Sequence, residues 1–168
     1  MKKMEELDTN AQQRLETFAR YGLAMYHAQC VEKSLAILVS SVFNKEFLPS
    51  GPDRREEIQE EVFAKTISRL LNRLKKQITL PPNLNRMLIT SLQKRNWLAH
   101  DYFWVRAVQL LTVSGRNKMI DELTSLSDSF SKLDAHLTKI YEKHLRKVGV
   151  SQTTLDEKLK ILIQNAEE

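Results

Sequence analysis

Cysteine is nearly absent from this chain of 168 residues, which has a single one at position 30. One cysteine excludes an intrachain disulfide framework and any cysteine-based metal site. The chain has only four glycines and four prolines, and its longest apolar run, residues 35–43, contains serines and is too short to cross a bilayer. The polar N-terminus differs from a secretory signal. These shortages favour a helical protein of the cytoplasm with no membrane partner.

Acidic residues are missing from the middle of the chain, where none occurs between Glu61 and Asp101. The basic residues of this stretch are Lys65, Arg69, Arg73, Lys75, Lys76, Arg86, Lys94 and Arg95. A region of one sign attracts polyanions such as RNA. The alternative is a solvated basic face that acids elsewhere in space balance.

Apolar residues recur at helical spacing along the chain, and no strand pattern is present. We expect a single all-α domain, an antiparallel up-and-down four-helix bundle over residues 9–148 with a short additional helix over residues 154–166. A capping box at Thr9 opens the first helix. Residues 49–52 break the chain before the second helix, Pro81 and Pro82 start the third, and Ser114-Gly115 marks the turn before the fourth.

Two charged residues interrupt the apolar seams. Glu32 falls on the seam of the first helix, and Arg95 takes a position on the third helix where leucine is expected. An unpaired buried charge is costly, so each residue needs a partner of opposite charge. We predict that Glu32 pairs with Arg95. Asp101 is a second possible partner for the arginine, and a displaced seam that leaves Glu32 in water is the alternative.

Residues with phosphate and proton-transfer chemistry cluster at the end of the third helix. Arg95 suits a phosphate group, His100 can act as general acid or base, and Asn96 lies one turn before the histidine. Tyr102 adds a hydroxyl, and we expect all four to fan across one side of the helix end. Together they suit metal-free cleavage of an RNA phosphodiester. A histidine that only contacts the helix dipole is the alternative.

The stretch from Arg95 to Tyr102 resembles the signature of the HEPN superfamily, which is an arginine, a polar residue, three further residues and a histidine. The tyrosine two residues later is similar to the Arg-x4-His-x-Tyr form of HepT-type toxins. The resemblance implies a metal-independent endoribonuclease with a composite site at a homodimer interface. Arg95 and His100 would be catalytic and Asn96 supporting. Tyr102 would match the tyrosine that a nucleotidyltransferase-type antitoxin modifies with AMP.

Two hypotheses follow for the function. The first is a HEPN-type ribonuclease, possibly a toxin or defence protein, that needs neither a metal nor another cofactor. Its RNA would be guided by six basic residues, Lys65, Arg69, Arg73, Lys76, Lys94 and Arg106. The second is a non-catalytic HEPN-like bundle that binds RNA, a nucleotide or a protein partner and keeps the motif for structure.

Overall fold

The computed structural model describes residues 2–43, 69, 71, 72, 75, 76, 80–147 and 152–166. Helices with defined bounds in this part are α1 (Lys2–Phe43), α2 (Pro82–His100), α3 (Tyr102–Val105), α4 (Ala107–Leu111), α5 (Val113–Lys147) and α6 (Gln152–Ala166). No strand occurs among the described residues, which confirms the all-α class. No helix in this part is both long and apolar enough to span a bilayer.

The two long helices α1 and α5 supply most of the core. On α5 the buried apolar residues follow the alternating spacing that the sequence predicts, and they are Met119, Leu123, Leu126, Phe130, Leu133 and Leu137. On α1 they are Ala24, Ala28, Val31, Leu35, Ala36, Leu38 and Val39. The helix α2 adds Leu84, Leu88 and Leu98. Full burial of one such leucine contributes about 1.5–3 kcal/mol, so these seams hold the helices together.

The side-chain contacts between α1 and α5 give the relative direction of the two helices. Gln13 contacts Asn117, and further along both helices Ser34 contacts Asp134. Residue numbers increase together, so α1 and α5 are parallel. The helices α1 and α2 are antiparallel. Tyr21 donates to the carbonyl of Leu98, and the later residue Glu32 of α1 pairs with the earlier residue Arg95 of α2.

This arrangement differs from a strictly alternating four-helix bundle. In such a bundle the first and fourth helices are antiparallel. Here the long helix that follows α4 runs parallel to α1, and α2 is antiparallel to α1. Most of the predicted second helix and the break at residues 49–52 lie outside the described residues; its described residues, Arg69, Leu71, Asn72, Lys75 and Lys76, are helical.

Helix boundaries agree with the sequence at some points and differ at others. Pro81 precedes α2 and Pro82 occupies its first turn, as predicted. The helix α1 already begins at Lys2, before the expected capping box at Thr9, and α6 begins close to the predicted start.

The predicted turn at Ser114-Gly115 is wrong, because both residues lie in the first turn of α5. The chain instead turns at Thr112. A Cβ at position 115 would clash with the backbone oxygen of Gln109 and lie 2.6 Å from its Cα. The glycine therefore permits close approach of α4 to α5.

Candidate functional site

The last turns of α2 carry the three predicted site residues Arg95, Asn96 and His100. Asn96 and His100 are exposed, and they are one helical turn apart. The helix ends after His100, because Asp101 leaves the helical conformation with φ −122° and ψ −16° while its N–H still bonds the Trp97 carbonyl. The imidazole therefore lies at the carbonyl end of α2, open to solvent.

Arg95 is held against α1 by Glu32. Its Nε lies 2.5 Å from Glu32 Oε1, and the two side chains are 31% and 24% exposed. The Nε atom makes no aligned hydrogen bond, so this contact is an ion pair rather than a directed bond. The structure thus contains the pair that the two seam interruptions predict.

The guanidinium of Arg95 also reaches along its own helix. Its Nη1 donates a hydrogen bond of 3.3 Å to Asn96 Oδ1. A guanidinium has five N–H donors. Among the described residues, Asn96 is the one that accepts a well-aligned hydrogen bond from Arg95. Arg95 therefore keeps donor capacity for an anion at the partly exposed edge between α1 and α2.

Tyr102 does not share this surface, and the expectation that it fans out beside Arg95 and His100 is wrong. Its side chain is 1% exposed, and its hydroxyl donates a long hydrogen bond of 3.4 Å to the Met119 carbonyl. The rings of Tyr21, Trp97 and Phe103 surround it. The turn at Asp101 redirects the chain, so helical spacing cannot be extended from Arg95 to Tyr102.

Burial raises the pKa of Tyr102 far above its usual value, and the nearby Glu122 carboxylate raises it further. The phenol is therefore neutral. In this conformation its hydroxyl is out of reach of a modifying enzyme.

Arg106, one of the predicted RNA-binding residues, is engaged in a structural contact. Its Nε and Nη2 donate to the two carboxylate oxygens of Glu122 at 2.9 and 2.8 Å. Its Cζ lies 5.5 Å from the ring centroid of Trp97, within cation–π range. The Glu122 hydrogen bond raises the pKa of Arg106. This bidentate pair joins the turn after α3 to α5.

The other predicted RNA-binding cations are only partly described. Arg69 and Lys76 are exposed, and Lys94 is half-buried. Lys65 and Arg73 lie outside the described residues. The predicted four-cation stripe on the second helix is thus represented by two of its members.

A buried arginine at the start of α5 escaped the sequence analysis. Arg116 is 0% exposed, and it donates to the side chains of Asn10 and Gln13 and to the Leu110 carbonyl. It joins α1, α4 and α5. A turn at Ser114-Gly115 gives no reason to expect the next residue in the core, although Arg116 lies three residues before Met119, on the seam of α5.

Polar contacts between α1 and α5 were also missed. His27 Nδ1 lies 2.8 Å from the hydroxyl oxygen of buried Ser127, and the Ser34 hydroxyl donates to Asp134 at 2.5 Å. The serines look like ordinary small residues in the sequence, so no signal marked them. Across the described residues, no three His, Cys, Asp or Glu side chains group as metal ligands.

A group of apolar side chains directly after the motif faces solvent. Trp104 is 86% exposed, and Val108 and Leu111 are 73% and 71% exposed. Val105 and Val113 are exposed as well. We call these five residues the α3–α4 apolar surface. Exposed apolar patches of this kind commonly mark an interaction site.

Comparison with known proteins gives no relative. No family model, no curated protein and no solved structure matches this chain.

Proposed function

We propose that this chain is a metal-independent endoribonuclease of the HEPN type that acts on RNA in the cytoplasm as a homodimer. The observation that carries the proposal is the end of α2, where a partly exposed arginine, fixed by Glu32, precedes an exposed asparagine and histidine. A toxin or defence role is part of the same proposal.

The residues suit transfer of the phosphoryl group to the ribose. In such a reaction the 2′-oxygen attacks phosphorus, the 5′-oxygen of the next nucleotide leaves, and a 2′,3′-cyclic phosphate forms. His100 would take the proton from the 2′-hydroxyl or give one to the leaving oxygen. Arg95 would stabilise negative charge on the phosphoryl oxygens, and Asn96 would help to orient the arginine.

One chain offers one arginine and one histidine, whereas the reaction uses both an acid and a base. A second copy would supply the second histidine. The α3–α4 apolar surface begins four residues after His100 and could be covered by that copy. The HEPN resemblance implies an antiparallel bundle. We propose that order only for α1 and α2, because α5 runs parallel to α1.

A nucleotidyltransferase-type antitoxin is a proposed partner, provided that Tyr102 can become exposed. Addition of AMP to Tyr102 would require α3 to move away from the core first, because the hydroxyl is buried against Met119.

The second candidate is a non-catalytic HEPN-like bundle that binds RNA, a nucleotide or a protein. The ion pair between Arg95 and Glu32 favours it, because a motif arginine that satisfies a partly buried carboxylate serves the fold as well.

Substitution of the motif residues decides between the two. We expect His100→Ala and Arg95→Ala each to reduce cleavage of single-stranded RNA in EDTA at least about 100-fold, the size expected for loss of a general acid–base group or an oxyanion donor. His136→Ala and Arg14→Ala are matched controls, since both side chains are exposed, on α5 and α1. Thermal unfolding would show that each variant is folded.

If the wild-type protein cleaves no RNA, or if His100→Ala and His136→Ala cleave equally well, the ribonuclease proposal is wrong. Retained RNA binding without cleavage would support the second candidate.

A further inference from the structure

The last turns of α5 carry a concentration of positive charge away from the end of α2. Four cations, Lys139, Lys143, Arg146 and Lys147, line a cleft of about 570 Å³ together with Glu142. All four are exposed. Their spacing of four, three and one residues places them on one side of the helix within about 12 Å of its length.

The described carboxylates do little to neutralise this charge. Among the described residues, the ion pair in the cleft joins Arg146 and Glu142 at 3.9 Å, with the arginine side chain 73% exposed. Such a pair contributes little. Among the described carboxylates, none lies within ion-pair distance of the three lysines of the cleft.

The helix dipole explains only part of the cluster. Cations are favoured within the last turn of a helix, where Arg146 and Lys147 lie. Lys139 lies more than two turns before the end of α5 at Lys147, beyond the range of that effect. The helix dipole therefore leaves Lys139 unexplained.

We infer that this cleft binds the phosphate backbone of the RNA strand; the identity of the polyanion rests on the function proposed above. Lys139, Lys143 and Lys147 follow one another at about 6 Å along the helix axis, so they can contact successive phosphates of one strand. Lysines act there as point charges, which gives affinity without sequence preference.

Contacts between α1 and α5 give the position of the cleft relative to the motif along the helix axis. Glu32, the partner of Arg95, is two residues before Ser34, which contacts Asp134. The motif is therefore level with residue 132 of α5, and the cleft lies about 10–22 Å further along the helix axis.

A lipid surface fits the cleft less well than RNA does. A helix that binds a membrane surface exposes bulky apolar side chains beside its cations. In the part of α5 that lines the cleft, Ile140 and Tyr141 pack against the core and Leu145 is half-buried, so none of these apolar side chains is exposed beside the cations.

The test measures RNA binding without cleavage. Full-length protein with His100→Ala is titrated against a labelled oligouridine by fluorescence anisotropy over a range of salt concentrations. The double substitution Lys143→Ala and Lys147→Ala is compared with Arg14→Ala and Lys118→Ala, which removes the same charge from exposed sites near the start of α5. We expect the cleft variant to bind about 25-fold more weakly at 0.1 M salt, with a salt slope smaller by about 1.4, since each phosphate contact contributes about 0.7 to that slope. The control should bind as its parent does.

Equal affinities of the two double variants would overturn the inference, whether both bind well or both bind weakly. Loss of binding to vesicles with anionic lipid, without loss of RNA binding, would assign the cleft to a membrane and overturn it as well. The ribonuclease proposal is judged separately by cleavage: a wild-type protein that binds RNA through the cleft and does not cut it would refute that proposal and leave this one standing.

Discussion

Glu32 and Arg95 show that a single charged residue on an apolar seam can predict a contact between two helices. Each interrupts an apolar seam, and each would leave a partly buried charge without compensation if the other were removed. The two local anomalies therefore predict a long-range contact, which the structure contains at 2.5 Å. Tyr102 could not be placed in the same way, because its position depends on the backbone turn at Asp101 and not on helical spacing.

The burial of Tyr102 has a consequence for stability at high pH. Its pKa is raised in the folded protein, first by burial and then by Glu122, whereas an unfolded tyrosine titrates near its ordinary value of 10. Above pH 10 the unfolded chain loses a proton that the folded protein retains, so stability falls as pH rises, by up to about 1.4 kcal/mol per pH unit for one tyrosine. Tyr102→Phe removes this contribution.

Urea unfolding between pH 8 and pH 11 measures the effect, with wild type as the reference. We expect the variant to lose stability less steeply than wild type above pH 10, and not to become flat, because burial also raises the pKa of Tyr141. Parallel curves for the two proteins would show that Tyr102 ionises in the folded state as it does in the unfolded chain.

Among the elements, the beginning of α5 differs most from the sequence prediction. Gly115 was read as a turn residue, yet it is helical and packed against Gln109. Local sequence patterns correctly predict the start of α2, which follows from Pro81 and Pro82. They cannot show whether a glycine serves a turn or a close approach, since both uses exploit the missing side chain.

The two helical glycines give opposite expectations for the same substitution. Gly115→Ala should destabilise the protein by about 1–3 kcal/mol, because the added Cβ meets the backbone of Gln109, which cannot move aside without shifting α4. Gly22→Ala is the matched control in α1, where an added Cβ meets nothing within 4 Å. It should stabilise by about 0.5–1 kcal/mol through helix propensity.

Chemical denaturation of both variants gives these values directly. Equal effects of the two substitutions would mean that α4 does not pack on Gly115 in solution.

For the molecule as a whole, the apolar periodicity predicted the helical class and the buried seam of α5, but not the direction of that helix. Periodicity shows which face of a helix is buried and is the same when the helix is reversed. The parallel order of α1 and α5 depends on the path of the connecting segments, for which the sequence has no local signal.

A homodimer would account for the exposure of the α3–α4 apolar surface. Two-fold symmetry makes an interface from the same patch on both copies, and a stable one buries roughly 800 Å² on each. The α3–α4 apolar surface has an exposed tryptophan, the kind of residue that often dominates such contacts. It begins four residues after His100 in the chain, and we propose that the copy covering it brings its own histidine near.

We therefore expect Trp104→Asp and Val108→Asp each to convert a dimer into a folded monomer and to abolish RNA cleavage together with dimerisation. A buried charge opposite its own symmetry copy would weaken association, whereas the isolated chain should lose little stability because both side chains are exposed. Sedimentation velocity gives the oligomeric state, and Ile163→Asp, at an exposed isoleucine on α6, is the matched control that should remain dimeric. A wild-type protein that is monomeric at micromolar concentration yet cleaves RNA would refute the composite site, because a single His100 would then have to serve as both acid and base.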